Sequence, residues 1–338
     1  MEVIVLFFLF FAAFAYALLG GADFGVGILE LFSRKKNQTI SKKTAYRIIG
    51  PVWEANHIWL ILVIVIMWIC FPVYYNVIVT QLHIPISLLL VGIIARGTAF
   101  VFRHYDAYKD KSQRLYDRIF QSASVFTPFM IGVVFGSLLA GRMVLPEQTL
   151  TYTFIELYVF TWFNPFSISI GIFTVSLFAY ISAFFLTTST QGDEHHYFKE
   201  KLNRATIAVM LSGMIVFGVA LWENHAFSAL LFKSWLMPTF IVLSTALIFL
   251  SRKLIHKANL SKVLLGAQVL LIFSAWAIPM FPQFILFQNG ELGLMDHSVP
   301  DSVINTMAGA LLFASVFVLP GLFHLFKTFG LLSNPDEE

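Results

Sequence analysis

The chain has 338 residues, of which 58% are hydrophobic and only 12% charged, with a formal net charge of +3. Soluble domains carry about 25% charged residues, and a mean hydropathy of +0.79 excludes a water-soluble globular protein of this size, so most of the chain is solvated by hydrocarbon. No basic patch interleaved with aromatics points to nucleic acid. The single cysteine, Cys70, lies in an apolar run; it excludes an intrachain disulfide framework and an all-cysteine metal site and reads as a small hydrophobe.

A hydrocarbon core about 30 Å thick requires ~20 apolar residues per helix. Nine segments qualify, at 3–31, 50–71, 84–102, 119–141, 165–187, 204–221, 236–250, 263–280 and 303–326, the seventh being the shortest. The first lacks a basic leader and a small-residue cleavage site and reads as a retained helix, not a signal peptide. The expected class is an all-α integral membrane protein, residues 1–338 forming one polytopic domain. Pro128, Pro238 and Pro320 interrupt apolar runs and mark kinks or ends, and Gly50-Pro51 resembles a helix start.

Orientation follows from Lys and Arg in the connections. Segment 33–47 holds Arg34, Lys35, Lys36, Lys42, Lys43 and Arg47, whereas 72–85 holds none. Segment 103–118 is basic, 145–165 is not, and Lys199, Lys201 and Arg204 mark the next connection. Lys233 stands alone in 222–235, 252–262 holds four basic residues, and 281–302 holds none. The alternation fits nine spans with the N-terminus outside and the C-terminus in the cytoplasm.

Ionisable side chains at membrane depth cost at least ~2.5–3.5 kcal/mol each on insertion scales and must be paired, face a cavity or reach an interface. The first such cluster is Gly20-Gly21-Ala22-Asp23-Phe24-Gly25-Val26-Gly27, with Glu30 one to two turns further on. Gly21 and Gly25 bare one helix face for close approach of a neighbouring helix or a flat cofactor. Asp23 is there either a packing carboxylate or a member of a proton path. The second cluster is Trp53-Glu54-Ala55-Asn56-His57-Ile58-Trp59-Leu60, in which Glu54 and His57 share a helix face. Burial draws the affinities of a Glu and a His together, so the pair either passes protons or simply locks packing. Trp53 and Trp59 suit an interfacial band or the rim of a flat cofactor. The third cluster spans Arg96-Gly97-Thr98-Ala99-Phe100-Val101-Phe102-Arg103. Arg103, at the helix end, is expected to snorkel to the surface. Arg96 lies deeper and requires an anion: Glu54, Asp23 or a cofactor carboxylate such as a haem propionate.

The remaining polar groups are plainer. His195-His196, beside Asp193 and Glu194, read as a solvated charge run in a cytoplasmic loop, and the likeness of Trp222-Glu223-Asn224-His225 to the second cluster reads as chance. His57 is the one convincing intramembrane histidine, so the sequence offers no second buried His to hold a b-type haem iron with it, although ten Met residues could supply partners, and the chain is expected not to hold one.

Three motifs in this order, GADFGVG at 21–27, WEANHIW at 53–59 and RGTAFVFR at 96–103, resemble subunit II of the cytochrome bd quinol oxidase family. The resemblance implies two four-helix bundles, about 1–141 and 165–280, plus a peripheral helix at 303–326. It implies a pseudo-symmetric heterodimer with a subunit I that carries two haems b and one haem d, this chain ligating none. Many members add a small single-span subunit. The complex would sit in a bacterial cell membrane and oxidise quinol while reducing dioxygen to water with cytoplasmic protons; lipid and quinone are its surroundings. Glu54 matches an acid associated in the family with the proton route, where many members have Asp. Asp23, Arg96 and Arg103 match the charged positions of the other motifs, and Val101 stands where some relatives carry an acid.

The leading expectation is therefore a subunit of a quinol:oxygen oxidoreductase that is not itself catalytic. Glu54, His57 and Asp23 would form a proton pathway, Arg96, Arg103 and Trp59 would be ion-paired or near a cofactor, and Gly21 and Gly25 would serve helix packing. The rivals are a proton-coupled transporter, which predicts an inverted repeat, and a purely structural membrane partner.

Overall fold

In the computed structural model, residues 1–33, 44, 53–105, 113–223, 227–229, 234–296 and 299–328 are described. The first long helix has three parts: α1 (Glu2–Ala15), one π turn (Tyr16–Gly20) and α2 (Gly21–Leu31). Then come α3 (Trp53–Cys70), α4 (Pro72–Gln81), α5 (His83–Tyr105) and α6 (Gln113–Leu139). A 3-10 turn (Pro146–Thr151) and the short α7 (Phe154–Tyr158) precede α8 (Pro165–Thr188), α9 (Gly192–Glu223), α10 (Leu236–Lys253), α11 (Ala258–Met280) and α12 (Asp301–Thr328). Among the described residues, eight helices are long and apolar enough to cross a membrane, and a ninth results if α3 and α4, bent by 118° at Phe71, count as one broken span.

Hydropathy anticipated an all-helical membrane fold, but two boundaries differ. Segment 72–85, expected as a connection, forms α4, with Pro72 in its first turn where a missing N–H costs nothing. The span expected at 204–221 begins at Gly192, so His195 and His196 lie on a helix and not in a loop, and His195 Nδ1 is 2.9 Å from the Thr187 carbonyl. Its first turns are too polar to register in a hydropathy window. Pro128 and Pro320 lie inside α6 and α12 without ending them, whereas α6 stops where Gly141 turns to a φ of 66°. Gly50-Pro51 falls outside the described residues.

α8 is the innermost helix, with 61% of its apolar window buried, and packs against α2, α6 and α9. Its small residues permit this. A Cβ added to Gly132 would lie 2.7 Å from Gly171 Cα, and one added to Gly136 would lie 2.8 Å from Ser167 Cα. α6 and α8 thus cross backbone to backbone at two small residues four apart on each helix, the arrangement that dispersion favours where lipid supplies no hydrophobic drive. α12 is the most lipid-like, only 17% buried, touching α1 and α3 and exposing Phe313, Val316 and Phe317.

Where α3 turns into α4, side chains tie the loops to the helices. Tyr74 Oη donates to the Leu292 carbonyl at 2.6 Å and accepts from Phe284 N at 3.2 Å. Gln81 donates through Nε2 to the Val144 carbonyl at 2.5 Å and accepts from Val144 N at 3.0 Å, satisfying both backbone groups of one residue. Gln81→Leu strands both, at about 1–3 kcal/mol for each unsatisfied group. Thermal unfolding in detergent should show a lower midpoint for this variant, and an unchanged midpoint would mean that Val144 is satisfied otherwise.

Candidate functional site: a neutralised charge ladder beside His57

α2 and α5 each carry a charge and repeat it seven residues later: Asp23 and Glu30 on one, Arg96 and Arg103 on the other. Seven residues are two turns, about 10.5 Å of helix, so the like-signed groups share a face and the helices meet in two rungs. On the first rung Arg96 Nη1 and Nη2 donate to Asp23 Oδ2 and Oδ1 at 2.9 and 2.7 Å. Nη2 also reaches the Asp23 carbonyl at 3.0 Å, and Nε donates to Ser124 Oγ on α6 at 3.1 Å. Both partners are 2% exposed. On the second rung Arg103 Nη2 contacts both Glu30 oxygens at 2.6 and 2.7 Å, and its Nε lies 2.9 Å from Asp117 Oδ1. Gln121 Nε2 adds a bond to Glu30 Oε1 at 2.9 Å.

The rungs are joined by aromatics. The Phe120 ring centroid lies 5.0 Å from Arg96 Cζ and 4.7 Å from Arg103 Cζ, and Phe24 covers Arg96 at 4.4 Å. These distances fall within cation–π range, where desolvated pairs are worth ~2 kcal/mol. Below the ladder Lys201 on α9 donates to the carbonyls of Phe32 at 2.7 Å and Leu29 at 3.3 Å, occupying acceptors that the end of α2 leaves open. Ser33 Oγ, bonded to the Leu29 carbonyl, lies 2.8 Å from Tyr197 Oη.

The anion of Arg96 is thus Asp23, among the alternatives that the sequence left open. Arg103 does not snorkel: it is 6% exposed, because Glu30 and Asp117 hold it inward more firmly than the interface draws it out. Gly21 and Gly25 do bare a face, and α8 is the neighbour that fills it: a Cβ on Gly25 would stand 2.1 Å from the Phe178 carbonyl oxygen. Gly27 faces α6, where an added Cβ would meet Ser124 Oγ at 2.1 Å. Val101 is 41% exposed, on a surface away from the rungs.

The second motif stands beside the first rung. His57 on α3 has its ring centroid 6.3 Å from Tyr16 and 6.1 Å from Phe24, and the charges of Asp23 and Arg96 act on both His57 and Tyr16. Glu54 is on the same helix one turn away, but its side chain, like that of Trp53, lies outside the described residues. Trp59 belongs to the core and not to an interfacial belt; it is 6% exposed and edge-on to Phe11 at 5.4 Å.

The Tyr16 and Phe24 rings flank the His57 imidazole, and no group of three His, Cys, Asp or Glu side chains that could hold a metal ion occurs among the described residues.

Residues on α6 were missed by sequence reading: Asp117, Phe120, Gln121 and Ser124 complete the ladder. Their spacing of three, one and three puts them on one stripe of an otherwise apolar helix, a signal available in principle. Lys201 was counted only as a loop charge.

The fold and site define a multi-pass helical membrane protein whose buried arginines Arg96 and Arg103 are paired with carboxylates of its own chain. Residues 1–329 match the family described as cytochrome bd terminal oxidase subunit II, and the chain belongs to that family. It is 23% identical over 357 aligned positions to cytochrome bd-I ubiquinol oxidase subunit 2 of Escherichia coli K12, covering 96% of this chain and 93% of that one. It is 25% identical to cytochrome bd ubiquinol oxidase subunit 2 of Bacillus subtilis 168, over 62% of this chain and 60% of that one. In three dimensions it is similar to a chain of the bd oxidase of Geobacillus thermodenitrificans, with a TM-score of 0.74 at 22% identity over 97% and 98% of the two chains.

Proposed function

We propose that this chain is the subunit of a quinol:oxygen oxidoreductase that ligates no haem, supporting a haem-bearing subunit I and delivering cytoplasmic protons toward it. The observation that carries this is the ladder of buried ion pairs standing against His57, one helical turn from Glu54. Asp23, expected from sequence on the pathway, is assigned to fixed counter-charge, because the Arg96 guanidinium occupies both of its carboxylate oxygens. Glu54 and His57, one turn apart on α3, are assigned the proton transfer. An apolar Val101 closes the branch for which some relatives have an acid.

The two haems b and haem d then reside in subunit I, quinol is oxidised there, and a small single-span subunit, quinone and lipid complete the surroundings. The loop charges support an N-terminus outside and a C-terminus in the cytoplasm of a bacterial membrane, and residues 1–141, 165–280 and 303–326 are read as two bundles and an edge helix. Membership of an oxidase-subunit family disfavours the transporter alternative.

The test is Glu54→Gln in the assembled oxidase. Oxygen consumption with excess reduced quinol should fall by about 10²-fold, the lower bound for losing a positioned proton donor, while the visible spectrum and subunit composition stay unchanged. Wild-type oxygen consumption would reduce the chain to a structural partner whose every deep charge serves assembly.

A further inference from the structure

The π turn at Tyr16–Gly20 is the one interruption of the first long helix. Single π turns cost hydrogen-bond geometry and are found mostly where function requires a displaced side chain. Here the turn begins at Tyr16. Its ring packs on its own helix over Gly20, where an added Cβ would lie 3.3 Å from the ring, and the residue is 5% exposed. Its hydroxyl is buried and makes no hydrogen bond to any described residue. Leaving a hydroxyl unpaired in an apolar interior is costly, and a Phe at this position would avoid that cost.

The surroundings of Tyr16 give the hydroxyl a use. The His57 ring lies 6.3 Å away, and both groups feel the charges of Asp23 and Arg96. Along the first helix Tyr16 lies two turns before Asp23 and four before Glu30; along α3 His57 lies one turn beyond Glu54. From the basic-loop end of α3 Glu54 precedes His57, and the Tyr16 ring stands against His57 from the first helix. We propose that Tyr16 is the mid-membrane station of the route that Glu54 and His57 open, working with a buried water bonded to its hydroxyl. A phenol oxygen accepts a proton from the imidazolium side and releases its own to that water, so tyrosine is unchanged after each transfer and charge moves one step inward. The bonded Asp23–Arg96 rung beside it supplies a fixed pair of opposite charges.

This inference rests on the route through Glu54 and is tested together with it. In the assembled oxidase, Tyr16→Phe should slow oxygen consumption about tenfold or more and raise the solvent deuterium isotope effect, with haem spectrum and subunit composition unchanged. A merely unpaired hydroxyl predicts the opposite: wild-type turnover and isotope effect, with a higher unfolding temperature, and that result overturns the proposal. If Glu54→Gln slows the enzyme and Tyr16→Phe does not, the route stands and its extension falls. If neither does, both fall. If only Tyr16→Phe does, the Glu54 entry falls and so does the placing of Tyr16 upon it. Should Tyr16→Phe fail to assemble, difluorotyrosine incorporated at position 16 keeps ring and hydroxyl while acidifying the phenol. A changed isotope effect then supports the relay, and an unchanged one overturns it.

Discussion

Arg96→Leu should abolish assembly or lower stability by about 3–5 kcal/mol, the cost of leaving one partner of a buried pair uncompensated. Asp23 would remain 2% exposed, without the two guanidinium bonds at 2.7 and 2.9 Å and with no other cation bonded to it among the described residues. Ser124 Oγ would also lose its donor, and the Phe24 and Phe120 faces would lose their cation. The matched double variant Asp23→Leu with Arg96→Leu removes both charges and should recover most of the loss, since an apolar pair of similar volume is often as stable as a buried ion pair. Yield and unfolding temperature of the complex, measured for both singles and the double, give the coupling directly. Equal damage in the single and double variants would mean that the rung matters for shape rather than charge.

Gly25→Ala is the second large effect. The added methyl would stand 2.1 Å from the Phe178 carbonyl oxygen and 2.4 Å from Ser182 Cβ, and backbone cannot withdraw as a flexible side chain can. α2 would be driven off α8, at about 1–3 kcal/mol or more, and the ladder on the other side of α2 would lose register with α5 and α6. Gly218→Ala is the internal control. Nothing lies within 4 Å of an added Cβ there, so the variant should be neutral or gain up to about 1 kcal/mol of helix propensity. Unfolding temperatures that rank the two variants the other way would contradict the packing of α2 on α8.

How much of this was legible beforehand follows from what hydropathy measures. It averages apolarity along the chain, so it found the long helices and the deep charges that violate the average, Asp23, Arg96 and His57 among them. It is blind to what lies sideways. Arg103 looked like a snorkelling end because only its distance to the interface could be read; Glu30 and Asp117 come from other helices. Segment 72–85 looked like a loop because it is short and holds Asn and Gln, yet Tyr74 and Gln81 use that polarity to tie α4 to the loops below. The π turn left no compositional trace, because one extra residue in a turn changes neither hydropathy nor charge. Pattern predicted which residues must have partners; only three dimensions supplied the partners.

Haem analysis of the complex captured through a tag on this chain is the most direct check that the chain is a colourless subunit beside a pigmented one. The account predicts that the captured material absorbs visible light, and that after the subunits are separated all haem follows the partner. The chain captured alone without colour, or haem remaining bound to the chain itself, would contradict it.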